Sequence, residues 1–273
     1  MTMDSKQALI ELGVDPTLDD DLREQLDTNG FFIVANALTP QQCAAMREEF
    51  DRITEQEAGS GLVMDPEPGA TRLSNIFNKS EVFDPSLVLQ PVLAAALYLF
   101  DDFKLHGANI RDPHSGGGNQ PLHSDVPKAH EEDWRLVNAL ICLDELRLDN
   151  GPTRIVPGSH KWPHNNTPKL NLDVAAGEQQ RGEYGDQTKF PEDPLAPYPG
   201  EIHLTCPAGG MAVTNASLWH GGTDNISGDR RRMLHLTYTR RDLIQQFVQQ
   251  DYLTPGLYER LSPAQRYLFD VHA

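Results

Sequence analysis

Two periods of apolar residues divide this chain into a helical first part and a strand-rich second part. Behind the capping box Thr39-Pro40-Gln41-Gln42, apolar residues recur at helical spacing, which predicts a helix with one face packed on a sheet. Beyond about residue 100, short apolar segments are separated by Gly and Pro turns, as in all-β folds. The apolar positions of the predicted helix are Cys43, Met46, Phe50 and Ile53.

Caps and turn residues indicate the other elements. Residues 18–27 form a predicted helix that ends at Asn29-Gly30, because glycine readily takes the left-handed conformation beyond a helix C-terminus. Residues 91–100 form an apolar helix, and Ser262-Pro263 begins an amphipathic one. Strands are predicted at 31–34, 104–111, 136–143, 153–156, 201–206, 210–214 and 233–240.

These elements favour a mainly β fold with flanking helices, namely a double-stranded β-helix, which is a jelly-roll, cupin-like barrel. Decorated barrels of this size are commonly one unit, so we expect a single domain over residues 1–273. Its parts would be an N-terminal helical buttress (about 1–100), a barrel core (about 101–241) and a C-terminal helical segment (242–273). The last part would pack on the outside of the barrel or on the second subunit of a homodimer.

Charge and composition narrow the classes of partner and compartment. The formal charge is 23 − 40 = −17, and the main basic block is residues 230–232, so we expect no nucleic acid and no membrane as partners. No apolar run approaches the roughly 18 residues of a membrane span. Cys43, Cys142 and Cys206 are widely spaced among apolar residues, which indicates buried thiols, and the N-terminal residues lack a signal-peptide pattern. A cytoplasmic location is the expectation.

The first candidate for chemistry is the segment Gln120-Pro121-Leu122-His123-Ser124-Asp125. In an extended segment residues i and i+2 point to the same side, so His123 and Asp125 can bind one ion together. His220, which lies 220 − 123 = 97 residues later, would add an imidazole from a distant strand. Two histidines and one carboxylate on one face of a metal are the facial triad typical of non-haem Fe(II) oxygenases. The remaining histidines lack this spacing and are assigned structural or surface roles.

A basic run follows the second histidine. Residues 230–232 are all arginine and precede the predicted strand 233–240. A guanidinium at that place could bind the far carboxylate of a dicarboxylic cosubstrate in a bidentate manner. These features together fit 2-oxoglutarate.

In these features the sequence resembles the phytanoyl-CoA dioxygenase family of Fe(II)- and 2-oxoglutarate-dependent oxygenases. The resemblance covers roughly residues 30–241, with the motifs in family order. It implies the same barrel fold, with Fe(II), 2-oxoglutarate and O2 as cofactor and cosubstrates, and His123, Asp125 and His220 as metal ligands. The matching motifs are NGFFIV at 29–34, LHSD at 122–125, NGPTRIVPGSH at 150–160, and HGGTDN at 220–225 followed by Ser227 and the arginines.

The resemblance also implies which arginine binds the cosubstrate. Arg231 lies 231 − 220 = 11 residues after His220, where family members usually place the arginine that binds the distal carboxylate. Because neighbours on an extended strand face opposite ways, Arg230 and Arg232 would share a face that Arg231 opposes. A register error of one residue is the alternative.

Further cosubstrate contacts are implied at Gln120, Thr153 and Arg72. Each has an alternative interpretation. Gln120 would be a glutamine in a turn, Thr153 a threonine with only a strand role, and Arg72 a solvated arginine in a loop. Asn138, inside the apolar strand 136–143, needs a hydrogen-bond partner if it is buried. It would either line the pocket or bond to backbone.

The implied reaction is the oxidation, most often hydroxylation, of an unactivated C–H bond in a small organic metabolite, with release of succinate and CO2. Asp125 argues against a halogenase, because halogenating relatives lack that carboxylate. Two alternatives of other classes are a cupin-like metalloenzyme that does not use 2-oxoglutarate, and a non-catalytic binding module on the same barrel. No residue pattern identifies the substrate.

The segment 162–200 is rich in Pro, Gly, Asn and charge and has little apolar periodicity. Long segments of this kind are usually functional or mobile. We interpret it as a lid over the barrel mouth that closes when substrate binds. A surface insertion is the alternative.

Overall fold

Two antiparallel sheets form the centre of the computed structural model, which describes residues 3–58, 69–126, 128–162, 193 and 195–272. The strands are β1 (Phe31–Val34), β2 (Ala70–Ser74), β3 (Phe103–Pro113), β4 (Leu136–Cys142), β5 (Thr153–Ile155), β6 (Ile202–His203), β7 (Met211–Asn215), β8 (His220–Gly222) and β9 (Met233–Arg240). The large sheet has six of these strands in the order β1-β7-β4-β9-β3-β2, and the small sheet has the order β6-β5-β8.

The alternation of side chains along the large sheet separates the interior of the barrel from a helical layer. In β9, Leu234 and Leu236 face the helices, whereas Met233 packs with Ile155 of the small sheet. One apolar core therefore lies under the helices and a second lies between the sheets, as in a jelly roll. The helices are α1 (Ser5–Glu11), α2 (Asp20–Asn29), α3 (Pro40–Glu57), α4 (Gln90–Phe100), α5 (Pro255–Arg260) and α6 (Pro263–Phe269).

The start of α3, the end of α2 and the start of α6 agree with the sequence predictions, whereas α2 begins at Asp20 rather than at residue 18. Helix α3 starts with the complete capping box between Thr39 and Gln42. Helix α2 ends at Gly30, whose φ of 84° is left-handed, and a side chain there would collide with His160. Helix α6 starts with a capping box at Ser262, and it packs against β3 on the outside of the barrel.

Some elements were not predicted from the sequence. Strand β8 contains two glycines, which have low strand propensity, and β2 is a polar edge strand. Strand β6 covers only Ile202–His203 of the predicted 201–206. Helices α1 and α5 are short and were missed. The interpretation of 162–200 as a lid rests mostly on residues 163–192 and 194, which lie outside the described ones.

The three cysteines are free and buried, as predicted. Within the described ranges, no single helix is long and apolar enough to cross a membrane. One bent pair, formed by the 3-10 segment Glu81–Val88 and α4 at 56°, passes that test on length and composition. Both members contribute buried residues to the apolar core between the helices and the large sheet.

Buried neutral histidine makes stability depend on pH. Burial lowers the pKa of His160 to about 4, against the opposing effect of its hydrogen bond with the Asp27 carbonyl. The unfolded chain binds a proton at about pH 6.5 and the folded chain does not, so stability is full above that pH and falls as the pH drops toward 4. We expect His160 to account for a loss of about 2 kcal/mol between pH 7.5 and pH 5. Urea unfolding should show a smaller pH-dependent loss in His160→Gln, and an equal loss would contradict this assignment.

Candidate active site

A two-residue antiparallel bridge brings the two candidate histidines together. His123 and His220 each donate the backbone N–H to the carbonyl of the other, at N···O distances of 2.9 and 2.8 Å. Directly opposite residues in such a pair project their side chains to the same side, and the two ring centroids lie 4.5 Å apart. Backbone pairing beside β8 thus accounts for the meeting of two residues that are distant in sequence.

Asp125 completes the group. Its backbone N–H donates to the carbonyl of Ala216 at 3.0 Å. Its Oδ1 lies 3.6 Å from Nε2 of His123 and 3.5 Å from Nε2 of His220. The three ligand atoms lie within 4.8 Å of one another, and no second cluster of this kind occurs in the part of the chain that the structure describes.

Backbone carbonyls decide which imidazole nitrogen faces the centre. Nδ1 of His123 lies 2.7 Å from the carbonyl oxygen of Pro121, and Nδ1 of His220 lies 2.9 Å from that of Leu218. A carbonyl oxygen only accepts, so both Nδ1 atoms carry the proton and both Nε2 atoms present a lone pair, which is the form that binds a metal. Two imidazole nitrogens and one carboxylate oxygen fit a non-haem Fe(II) centre.

The charges at this centre favour an ionised carboxylate. Burial opposes the charge on Asp125, but the attraction of His220 and His123 holds the pKa of Asp125 well below its ordinary value. Burial lowers the pKa of His220. For His123, burial is outweighed by the contact with Asp125, which raises the pKa of that imidazole. One negative charge therefore lies between two imidazoles, where a cation is stabilised.

Asn138 on β4 bonds to the same carboxylate. Its Nδ2 donates to Oδ2 of Asp125 at 2.6 Å, and its Oδ1 accepts from the hydroxyl of Thr237 at 2.8 Å. The sequence left open whether this residue lines the pocket or bonds to backbone. Its contact is with a candidate metal ligand, which no local pattern indicated.

The three consecutive arginines separate onto two sides of the chain. Arg231 is 1% exposed and donates from Nη2 to the carbonyl of Gly151. Arg230 and Arg232 both reach Asp51 on α3, and each also pairs with a second carboxylate. The side chain of Arg231 is thus the one that points away from α3, in the direction of the small sheet.

Gln120 and Thr153 both adjoin Gly222, two residues beyond His220 on β8. The backbone N–H of Gly222 donates to Oε1 of Gln120 at 3.1 Å, so this side chain holds backbone in place. Thr153 is opposite Gly222 in the register of β5 and β8. It lies on the same face as Ile155, which is part of the core between the sheets. Thr153 therefore faces the barrel interior on the Gly222 side of the histidines.

Arg72 lies on β2 rather than in a loop, directly opposite Arg111 of β3. Opposite residues share a face, so the two guanidinium groups lie on one side of the sheet. A Cβ at Gly222 would come within 3.3 Å of Nη1 of Arg111, which puts Arg111 beside the same glycine as Gln120. Arg111 was not among the predicted site residues.

His235 on β9 is influenced by the charges of these arginines. Burial and the nearby Arg231, Arg111 and Arg72 place the pKa of His235 well below its ordinary value. The positive charges of three arginines thus favour the neutral form of this imidazole. In β3 and β9 polar residues alternate with apolar ones. This alternation is the feature of the sequence from which Arg111 and His235 could have been predicted as site residues.

One family model and several known enzymes match the sequence. Residues 26–233 match the family described as Phytanoyl-CoA dioxygenase (PhyH). The chain is 27% identical over 235 residues to the ectoine dioxygenase of Stutzerimonas stutzeri, with 81% of this chain and 77% of the relative covered. It is 25% identical over 256 residues to the L-proline trans-4-hydroxylase of Streptomyces griseoviridis, with coverage of 82% and 87%.

Solved structures share the fold. HygX from Streptomyces hygroscopicus, with nickel and 2-oxoglutarate bound, superposes with a TM-score of 0.62 at 17% identity, over 84% of this chain and 90% of HygX. The carbocyclase SnoK from nogalamycin biosynthesis gives 0.64 at 15% identity, over 97% and 95%. The predicted jelly-roll barrel is confirmed. Since the family match covers more than half of the chain, the protein belongs to the phytanoyl-CoA dioxygenase family and is an Fe(II)- and 2-oxoglutarate-dependent dioxygenase.

Proposed function

We propose that His123, Asp125 and His220 bind the Fe(II) of this dioxygenase through two Nε2 atoms and one carboxylate Oδ1. The observation that carries the proposal is the approach of Oδ1 to both Nε2 atoms at 3.6 and 3.5 Å, with each Nδ1 bonded to backbone. Such outer hydrogen bonds orient imidazole ligands and raise their basicity. Three protein donors leave the rest of the coordination sphere for small molecules.

The 2-oxoglutarate would lie between this centre and Arg231. Thr153 is opposite Gly222, two residues beyond His220, and Arg231 contacts Gly151, two residues before Thr153. We assign the distal carboxylate to the guanidinium of Arg231, assisted by the hydroxyl of Thr153. Gln120, Arg72 and Arg111 adjoin the same space, and their role would be to shape it and to keep it positive.

With iron bound, the centre supplies the coupled oxidative decarboxylation of 2-oxoglutarate by O2, giving succinate and CO2, and the oxidation of a substrate C–H bond. The protein residues bind the two organic molecules in proximity and keep water away, which is the general contribution of an enclosed site. Residues 1–273 would act as one catalytic domain, because helices from both ends pack on the same barrel.

We propose a small organic metabolite as the substrate and hydroxylation as the outcome. The relatives named for ectoine and L-proline support this choice, because both act on small molecules. The two alternatives drawn from the sequence were a cupin-like enzyme without 2-oxoglutarate and a binding module. Membership of a family of 2-oxoglutarate dioxygenases favours neither.

Anaerobic titration tests the site directly. Fe(II) added to the protein should give no visible band until 2-oxoglutarate is added, when a weak charge-transfer band should appear. In air, a pool of small metabolites should then be screened for compounds that increase succinate release. A band in wild type but none in His220→Ala supports the assignment. An undiminished band in His220→Ala would refute it.

A further inference from the structure

We propose that Asn138 and Thr237 form a positioning pair that restricts Asp125 to a single metal-binding oxygen, a role that rests on the proposed iron site. Neither residue touches the reacting atoms in this proposal. They act through Asp125, by holding one of its two oxygens away from the metal.

The two oxygens of Asp125 have different surroundings. Oδ1 faces the Nε2 atoms of both histidines. Oδ2 accepts the hydrogen bond from Nδ2 of Asn138 at 2.6 Å, a short distance typical of a charge-assisted bond. Rotation of the carboxylate to bring both oxygens to one ion would lengthen or break this bond. The hydrogen bond therefore favours coordination through Oδ1 alone.

Thr237 fixes the amide in the orientation that this role requires. An ionised carboxylate only accepts, so the NH2 group of Asn138 must face Asp125 and its Oδ1 must face the other way. That Oδ1 accepts from the hydroxyl of Thr237 at 2.8 Å. A flipped amide would set oxygen against oxygen at Asp125 and lose the bond that Thr237 donates. The carboxylate thus selects one of two amide orientations, and the threonine hydroxyl restrains the amide in it by donating to Oδ1.

The pair also ties the carboxylate to a different wall of the barrel from the histidines. Asn138 and Thr237 are directly opposite in the register of β4 and β9, in the middle of the large sheet. His220 belongs to β8 of the small sheet, and His123 is bridged to it. The large sheet consequently sets the position of Oδ1, while the small sheet sets both imidazoles, and a metal ion would join the two.

Coordination number gives this restraint its functional consequence. A six-coordinate ion held by three protein donors would keep three positions, and a keto acid that bound through two oxygens would leave one of them open. A bidentate Asp125 would supply a fourth protein donor. The two positions that remain would both be needed by 2-oxoglutarate, so none would stay open.

The test uses Co(II) as a redox-stable probe, together with three variants. Asn138→Leu removes the donor to Asp125, Thr237→Val removes only the hydroxyl, and Thr237→Ser restores it. Thr214→Val is the matched control, because Thr214 is opposite Asn138 on the other neighbouring strand, β7. Within the described residues, no hydrogen bond joins the Thr214 hydroxyl to Asn138. Calorimetry gives the Co(II) affinity, and the visible Co(II) spectrum reports the coordination.

We expect Asn138→Leu to change the Co(II) affinity by about 10- to 100-fold, the usual size of effect when an outer partner of a metal ligand is lost. The Co(II) spectrum should change, because the freed Oδ2 of Asp125 would become able to bind the ion as well. Thr237→Val should change the Co(II) affinity and the Co(II) spectrum in the same direction as Asn138→Leu, but less. Thr237→Ser and Thr214→Val should match wild type. If Asn138→Leu does not fold, the comparison of Thr237→Val with Thr237→Ser still tests the proposal.

The proposal is overturned if Asn138→Leu binds Co(II) with wild-type affinity and spectrum. It is also overturned if Thr237→Val and Thr214→Val have equal effects, since a general packing defect would then suffice. A wild-type protein that binds neither Co(II) nor Fe(II) would instead overturn the proposed iron site, and the positioning pair with it.

Discussion

Replacing Asp125 with alanine is expected to remove most of the iron and essentially all turnover while the fold is retained. The substitution deletes the single carboxylate between two imidazoles and with it both a ligand and the negative charge that attracts the cation. Outer partners of metal ligands are each worth about 10- to 100-fold in affinity, so loss of a direct ligand should cost at least on the order of 100-fold. Elemental analysis after anaerobic loading measures the effect.

The matched control is Asp149→Ala, which removes a half-exposed aspartate from a surface pair with Arg147. It should leave the iron content and succinate formation near wild type, since exposed pairs contribute little. Because the Asp125 side chain is held by Asn138 and not by the core, circular dichroism of both variants should match wild type. Full iron retention with full turnover in Asp125→Ala would refute the assignment of this ligand.

Replacing Arg231 with alanine is expected to raise the apparent KM for 2-oxoglutarate by about 10- to 100-fold or more. A charge-assisted hydrogen-bonded pair of this type contributes roughly 1.5–3 kcal/mol, which corresponds to that range. The KM of Arg231→Lys should fall between the values for wild type and Arg231→Ala, because lysine keeps the charge but not the planar guanidinium group. Steady-state succinate formation at varied 2-oxoglutarate, with the charge-transfer titration as a second reading, separates binding from turnover.

Arg230 and Arg232 provide internal controls of the same residue type. Both side chains pair with Asp51 on α3, away from the barrel interior. Arg230→Ala and Arg232→Ala should therefore change the KM for 2-oxoglutarate by no more than about 2- to 3-fold, the effect of less than 1 kcal/mol. If Arg232→Ala carried the large effect and Arg231→Ala did not, the assumed register would be off by one residue.

Local signals were sufficient for much of the fold. The capping box at Thr39 and the glycine after α2 predicted helix ends that agree with the structure. They could do so because the hydrogen bonds of a helix cap join residues only a few positions apart in sequence. Strand β9 was predicted with its observed bounds, since its alternating Leu234, Leu236 and Tyr238 reflect one buried face. Strand β8 escaped because two of its three residues are glycine.

The sequence by itself determined the family, the barrel and the residue types of the candidate metal site, because these follow from motif order and from the period of an extended chain. The same period indicated that Arg231 faces away from Arg230 and Arg232. Only the tertiary structure decided that Oδ2 of Asp125 meets Asn138 and that Arg111 lies against Gly222. Those partners depend on strand order and register, which pair residues far apart in sequence. The residues next to each partner in the sequence therefore do not indicate the pairing.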